Sequence, residues 1–272
     1  MALIQLDNVS KLYGFGDATT LALDEINLTI EKGEFIAVMG PSGCGKSTLM
    51  NVIGLLDRPS HGIYHLDGKL VSNLRSGQLA RFRRDAIGFI FQSFNLLPRL
   101  NVLENVSLPL AYKGLTQTKR LKLASQMLER VGIQKREYYY PNQLSGGQTQ
   151  SAAIARALIN NPRIIIADEP TGNLDSKNSK MVMQLLADIH RVGSTVIFVT
   201  HNPELTRYAT RVVYMHDGAI VHDEQTALGK VANYAETIYN LPRDKDNKIK
   251  VKPSKKKSAK KVNRSRSSKD KS

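Results

Sequence analysis

The sequence predicts an α/β fold: a nucleotide-binding core of strands and helices, an antiparallel β subdomain, and an inserted α-helical subdomain. Three observations carry this. The apolar run Phe35-Ile36-Ala37-Val38-Met39 leads into Gly40-Pro41-Ser42-Gly43-Cys44-Gly45-Lys46-Ser47-Thr48, which reads G-x-x-x-x-G-K-[ST], with apolar Leu49, Met50, Val52 and Ile53 following. The runs Leu3 to Val9 and Ala22 to Ile30 alternate apolar and polar, as half-buried antiparallel strands do. From Asn95 to about Asn161 the pattern changes to helical spacing.

In chain order, Gly14-Phe15-Gly16-Asp17 forms a turn between the first two strands. Tyr13, two residues after Lys11, can offer its ring to a base, although packing on the core is the plainer reading of a strand-end tyrosine. In the strand–loop–helix that follows, the glycines let backbone N–H groups curl inward around a β-phosphate, and the helix N-terminus adds its positive dipole end. Lys46 reaches the β- and γ-phosphates and Ser47 offers a hydroxyl to Mg²⁺.

Strands are expected at Gly62 to Gly68, ending in an Asp-Gly turn, and at Ala86 to Phe91, closed by Gln92. In the helical stretch Leu121, Ala124, Leu128 and Val131 form one apolar stripe that Gly132 ends. Pro141-Asn142 breaks the chain before Leu144-Ser145-Gly146-Gly147-Gln148, and a new stripe follows at Ala153, Ile154, Ala157 and Leu158. This second Gly-rich loop before a helix reads equally as a phosphate contact or as a plain connection. The strand from Arg163 to Ala167 delivers two carboxylates, Asp168 and Glu169, at its end, where beside a phosphate loop they can hold Mg²⁺ and orient water. A helix striped by Met181, Leu185, Ile189 and Val192 leads to a strand from Ser194 to Thr200, closed by His201, and Asp217-Gly218 turns a hairpin. His201 thus repeats the strand-end placement of Gln92 and Asp168, where open α/β sheets bind ligands. Residues 225–242 read as a helical extension, and residues 243–272 as a disordered basic tail.

Composition bounds the function class. The 272 residues are 41% apolar and 23% charged, ordinary for a globular chain. No apolar run approaches the roughly 18 residues of a membrane-spanning helix, and the start of the chain lacks the pattern of a secretory signal, so a cytosolic protein is expected. Cys44 is the only cysteine, which excludes an internal disulfide and cysteine-cluster metal sites and leaves packing as its role. Of the formal charge of +15, residues 243–272 supply 14 Lys and Arg against three Asp, a net +11 that leaves +4 for the rest. The tail has almost no aromatic residues for base stacking, which favours anionic lipid over nucleic acid as its contact.

Taken together, the motifs resemble the ATP-binding subunit of an ABC transporter over about residues 1–224. Tyr13 corresponds to the A-loop, Gly40 to Thr48 to the Walker A motif, Gln92 to the Q-loop, and Leu144 to Gln148 to the LSGGQ signature. Ile164 to Glu169 corresponds to the Walker B motif with its glutamate, Asn173-Leu174-Asp175 to the D-loop, and His201 to the switch histidine. A phosphate loop alone is shared by many NTPases, whereas the signature followed by Walker B at this distance is diagnostic. The resemblance implies the ABC ATPase fold: a P-loop NTPase (RecA-like) core with an antiparallel β subdomain and residues 93–161 as the inserted helical signature subdomain. More narrowly, Asp168 to Asp175, Phe91 to Pro98 and the insertion after Tyr13 resemble the MacB and LolD group, related to the cell-division ATPase FtsE.

The resemblance implies ATP and Mg²⁺ as cofactors and assigns roles. Lys46 and the N–H groups of the loop Gly40 to Thr48, all but that of Pro41, which has none and serves by shaping the turn, neutralise phosphate charge. Ser47 and Asp168, the latter through water, hold Mg²⁺, and Gln92 senses metal and water. Glu169 is the general base, His201 contacts the γ-phosphate, and Tyr13 stacks the adenine, reversing the packing reading above. Ser145, Gly146, Gly147 and Gln148, with Asp175, complete the ATP site of a second copy in a head-to-tail dimer. The implied partner is a separate membrane permease of the FtsX/MacB type, met from the cytoplasmic side as a peripheral subunit, for export, lipoprotein release or mechanotransmission. The alternatives are an FtsE-like role and a soluble ABC protein acting on nucleic acid. The absence of a coiled-coil insert and of a second cassette weighs against the last. One departure stands out: Ser151 occupies the place of the family's usual arginine, which touches no ATP group but leaves a competent ATPase open to slower turnover or weaker coupling between lobes.

Overall fold

The structure, a computed structural model, describes residues 2–14, 18–232 and the single positions 237, 240, 241 and 249. Strands β1 (Ala2–Tyr13) and β2 (Thr20–Glu31) pair antiparallel, with Ile4 opposite Ile30 and Leu6 opposite Leu28. Their alternation buries Ile4, Leu6, Val9, Ile26, Leu28 and Ile30 on one face. Strand β3 (Phe35–Met39) is buried throughout and belongs to the second sheet. Strand β4 (His61–Leu66) pairs with β1, then turns at Asp67-Gly68 into β5 (Lys69–Leu70), giving the order β2-β1-β4-β5. Asp67 and Gly68 both have positive φ, 50° and 75°, the geometry of a type I′ hairpin turn.

The remaining strands are β6 (Ile87–Phe91), β7 (Ile164–Asp168), β8 (Thr195–Val199), β9 (Arg211–His216) and β10 (Ala219–Gln225). They form the order β10-β9-β3-β8-β7-β6, parallel except for β10. Helices cover both faces, which is why β3, β7 and β8 read as unbroken apolar runs. Register sets the site. Phe91 stands opposite Asp168, Asp168 opposite Val199, and Val199 opposite Val38, so the residues that follow these strands emerge along one edge.

Helix α1 (Lys46–Ile53) packs Leu49, Met50, Val52 and Ile53 between the two sheets. Helices α5 (Gly146–Leu158) and α6 (Ser176–Arg191) cover the other face through Ile154, Val182, Met183 and Leu186. The lobe between β6 and β7 adds α3 (Val102–Ala111) and α4 (Gln117–Arg130), which meet α5 around Val102, Val106, Ala124, Leu128 and Ala152. A capping box between Asn101 and Glu104 starts α3. Buried Asn105 donates to the carbonyls of Leu97, Leu100 and Asn101 and fixes the loop before it.

Three expectations need correction. Helix α2 (Ser76–Ala86) adds an element without a sequence signal, and Ala86 belongs to it rather than to β6; Leu79 alone is buried on it, so no apolar stripe announces it. On α6 the buried face is Val182, Met183, Leu186 and Ile189, whereas Met181 is 48% and Val192 79% exposed. Two stripes one residue apart fit the same period, and packing chose the neighbour. The helical extension does not start at Gln225, which ends β10, and Leu228-Gly229 form a turn. Residues 230–232 are described and not helical, while the extension from 233 on, the turn at Phe15 to Asp17 and the basic tail lie outside the described residues, apart from the single positions named above.

Candidate functional site

Gly40 leaves β3 under β9: a Cβ there would lie 2.4 Å from the Met215 carbonyl oxygen and 2.5 Å from Cys44 Sγ. Gly43 and Gly45 have φ of 79° and 98°, the left-handed region that lets the loop fold back on itself before α1. The Cys44 carbonyl accepts from the Gly218 amide at 3.1 Å, and the Gly218 carbonyl accepts from Asp24 N–H at 2.9 Å, so the β9–β10 turn ties the loop to the antiparallel sheet. Lys46, 8% exposed, donates to the carbonyls of Gly40 (2.9 Å) and Pro41 (2.7 Å). Cys44 is buried, and burial pushes its thiol pKa up, which suits a packing role and not a reactive one.

Across the strand edge Ser47 Oγ lies 3.5 Å from Asp168 Oδ1. Burial raises the Asp168 carboxyl pKa; the Ser47 contact opposes this and the neighbouring Glu169 adds to it. Glu169 has a positive φ of 44°, and its N–H donates to the Val199 carbonyl at 3.2 Å. Its Oε1 is 3.0 Å from His201 Nδ1. One open cavity of about 700 Å³ is lined by Ser42, Gly43, Gly45, Lys46, Ser47, Thr48, Glu169 and His201, with Thr20, Leu21 and Ala22 from β2.

Other expected residues sit apart from that cavity. Gln92 follows β6; its side chain packs on Gly172, where a Cβ would be 2.6 Å from Nε2, and its carbonyl accepts from Asn173 Nδ2 at 3.1 Å. Tyr13 ends β1 and donates from Oη to Asp57 Oδ2 at 2.8 Å, with Thr48 also in contact. Ser145 caps α5: its Oγ accepts from Gln148 N–H at 3.4 Å, and Gln148 Oε1 accepts from Ser145 N–H at 3.1 Å. None of Ser145 to Gln148 lines the phosphate-loop cavity or the neighbouring cleft between Glu169, Thr171 and Tyr208. Gly147 presses on α6, since a Cβ would lie 2.3 Å from Asn178 Oδ1. Asp175 caps α6 through Asn178 N–H (2.8 Å) and Nδ2 (2.7 Å), bonds that lower its pKa.

Sequence reasoning missed the ties between these parts. Gln150, fully buried, donates to the Pro170 carbonyl at 2.7 Å, one residue after Glu169. Arg156 donates to the carbonyls of Phe94 (2.9 Å) and Asn95, which both have positive φ. Ser151 is 3% exposed and donates to the Gly147 carbonyl at 3.0 Å, so the serine fills its place without a cation. These partners are many residues apart or pair through the helix backbone, so no local pattern marks them.

The donor set fits the expected cofactors. Ser47 Oγ and Asp168 Oδ1 are hard oxygen donors of the kind Mg²⁺ takes together with phosphate oxygens. No group of three or more His, Cys, Asp or Glu able to hold a metal alone occurs among the described residues. An oxygen pair beside a phosphate loop is therefore the place where a nucleotide-bound ion fits.

The sequence profile described as "ABC transporter" matches residues 23–172. An uncharacterized ABC transporter ATP-binding protein of Methanocaldococcus jannaschii is 52% identical over 80% of this chain and 98% of its own length. The macrolide export ATP-binding/permease protein MacB of Bdellovibrio bacteriovorus is 51% identical over 82% of this chain, which spans only 34% of that longer protein. The dimeric post-hydrolysis structure of the ATP-binding cassette MJ0796, bound to ADP and Pi, is 45% identical with a TM-score of 0.76, covering 82% of this chain and 98% of that one. With the fold, the loop and these relatives in agreement, the chain belongs to the ABC transporter family, as an ATP-binding cassette and an ATPase.

Proposed function

We propose that the chain hydrolyses ATP as half of a head-to-tail homodimer, and that this drives a membrane permease of the FtsX/MacB type from the cytoplasmic face, where the chain is a peripheral subunit. One observation carries the reading: Lys46, Ser47, Glu169 and His201 line one cavity with Asp168 at its edge, while Ser145 to Gln148 stand outside it. A second copy turned head to tail supplies that missing loop. The relative solved with ADP and Pi is described as dimeric, which supports the same arrangement.

In this reading the loop N–H groups and Lys46 hold the phosphates, and Tyr13 stacks the base. Bound together with ATP at Ser47 and Asp168, Mg²⁺ would neutralise charge on the β- and γ-phosphates. Glu169 takes the proton of the attacking water. His201 steadies the Glu169 carboxylate through Nδ1 and offers its other nitrogen to the γ-phosphate. Gln92 links this edge to the helical lobe, and Gln150 holds the backbone after Glu169 in place. Little covalent chemistry is required; positioning and charge stabilisation supply the acceleration.

Residues 1–224 form the ATPase unit, and the lobe at residues 93–161 is the part that meets the permease. Among the described residues no helix is long and apolar enough to cross a membrane. The relatives named as macrolide export ATP-binding/permease proteins join an ATP-binding part to a permease in their name, which favours export over lipoprotein release or cell division. The basic tail contacts anionic lipid.

The test is Glu169→Gln. Turnover falls at least about a thousandfold while an ATP-dependent dimer accumulates in light-scattering chromatography. A variant that still hydrolyses ATP, or that stays monomeric with ATP and Mg²⁺, overturns the reading.

A further inference from the structure

The end of β1 carries a charged cluster that the roles above leave unused. Asp57 lies four residues beyond α1, and its carboxylate accepts three hydrogen bonds. Oδ1 takes Lys11 Nζ at 2.7 Å and the Arg58 N–H at 2.7 Å, and Oδ2 takes Tyr13 Oη at 2.8 Å. Lys11 Nζ also donates to the Arg58 carbonyl at 2.9 Å and stands 4.8 Å from the centre of the Tyr13 ring. Tyr13 itself is 40% exposed. The ring is thus held at its oxygen and covered by a cation on one face.

We infer that Asp57 and Lys11 are positioning residues that pre-set the Tyr13 ring to receive a purine base on the face opposite Lys11. The inference rests on the proposed stacking role of Tyr13 and extends it to two residues that would not touch nucleotide. Tyr13 is followed by Gly14 with φ of 93°, a strand end with little to hold a free phenol ring. A ring that must be ordered on binding loses affinity, whereas one already fixed does not. The fold supplies the fixing economically. Helix α1 begins at Lys46, where the phosphates bind, and the chain leaving it supplies Asp57, which holds the ring at the base end. Thr48 of the same helix touches Tyr13 as well. One helix therefore sets the separation between the two ends of the nucleotide site, and the Lys11–Asp57 pair transmits that spacing to the ring.

The experiment measures binding of MgATP and of magnesium tripolyphosphate to the full-length chain by calorimetry, with Tyr13→Ala, Tyr13→Phe and Asp57→Ala. Tyr13→Phe keeps the ring, deletes the hydroxyl that bonds Asp57 and meets Thr48, and guards against a folding defect in Asp57→Ala. Expected is a loss of ATP affinity of about tenfold in Tyr13→Ala and about three- to fivefold in Asp57→Ala and Tyr13→Phe. Tripolyphosphate affinity stays within twofold throughout, and Asp57→Ala adds nothing to Tyr13→Ala. If Tyr13→Ala weakens ATP but Tyr13→Phe and Asp57→Ala do not, the positioning role is wrong and base stacking stands. Equal losses for ATP and tripolyphosphate reduce Asp57 to a structural residue and overturn the inference. If Tyr13→Ala leaves ATP affinity unchanged, the stacking reading falls and the inference falls with it.

Discussion

Two helices of this chain start from Gly-rich loops, and their N-termini are built in opposite ways. Helix α1 starts from Gly45 in left-handed geometry with no side-chain cap, so its first amides remain available to an anion. Helix α5 starts from Ser145 inside a capping box, in which the Ser145 and Gln148 amides are each engaged by the other's side chain. The first end is ready to bind phosphate within one chain. The second has two of its N-terminal amides turned onto its own cap, and the 3.4 Å contact from Gln148 N–H to Ser145 Oγ is long enough to yield. A ligand that takes the Ser145 or Gln148 amide of α5 has to exchange one bond for another, which suits a contact made late and released easily.

The sharpest way to break this comparison is Lys46→Ala. It should lower ATP affinity more than about a hundredfold, read by calorimetry on the monomer, because its charge has no substitute in the cavity. Retained affinity would mean that the loop is not the primary anchor. Ser145→Arg comes next: turnover should drop about a hundredfold, and ATP should no longer dimerise a Glu169→Gln background. Monomer affinity for ATP should stay within about twofold, since the side chain lies outside the cavity. If binding falls as far as turnover, the two helix ends belong to one site.

A smaller effect separates the metal side of the cavity. Burial raises the Asp168 pKa, so the folded chain binds this proton more tightly than the unfolded chain does. Ionised Asp168 therefore opposes folding above its folded pKa, and the penalty fades as pH falls through that value towards the ordinary one. Asp168→Asn should raise the Tm of the ATP-free protein at neutral pH, by calorimetry, while removing Mg²⁺-dependent turnover. In the parent protein the Mg²⁺ requirement should rise on acidification earlier than an ordinary carboxylate would make it, and a Mg²⁺ titration that changes only where an ordinary carboxylate protonates would contradict this. The smallest effect expected is that of Ser151→Arg. Restoring the cation should raise permease-stimulated turnover by less than about threefold, and the crowded position should cost about 1–3 kcal/mol of stability in denaturant titration. No change in stimulation retires a coupling role for this position.

Local chemistry accounts for what the sequence makes legible. Glycine spacing, the apolar run ahead of it and acids at a strand end are contiguous signals, so the phosphate loop, β7 and the strand-end placement of His201 can be read directly. Helix α2 escapes because it buries one large residue and carries four arginines, Arg75 included as its cap, so periodicity has nothing to detect. The stripe on α6 is ambiguous by one residue because helical spacing does not choose between adjacent faces; contact with β8 and α5 does. The Tyr13–Asp57 and Arg156–Asn95 bonds join residues 44 and 61 positions apart, and only the folded register brings them together.

Arg156 gives the helical lobe a mechanical property. Its guanidinium grips two consecutive carbonyls just after Gln92, at residues whose backbone is already left-handed. Phe94 and Asn95 cannot slide against α5 without breaking both charged hydrogen bonds. The loop after β6 and the helix that begins at Ser145 are in effect one stiff part, so a push at either end is felt at the other with little slack.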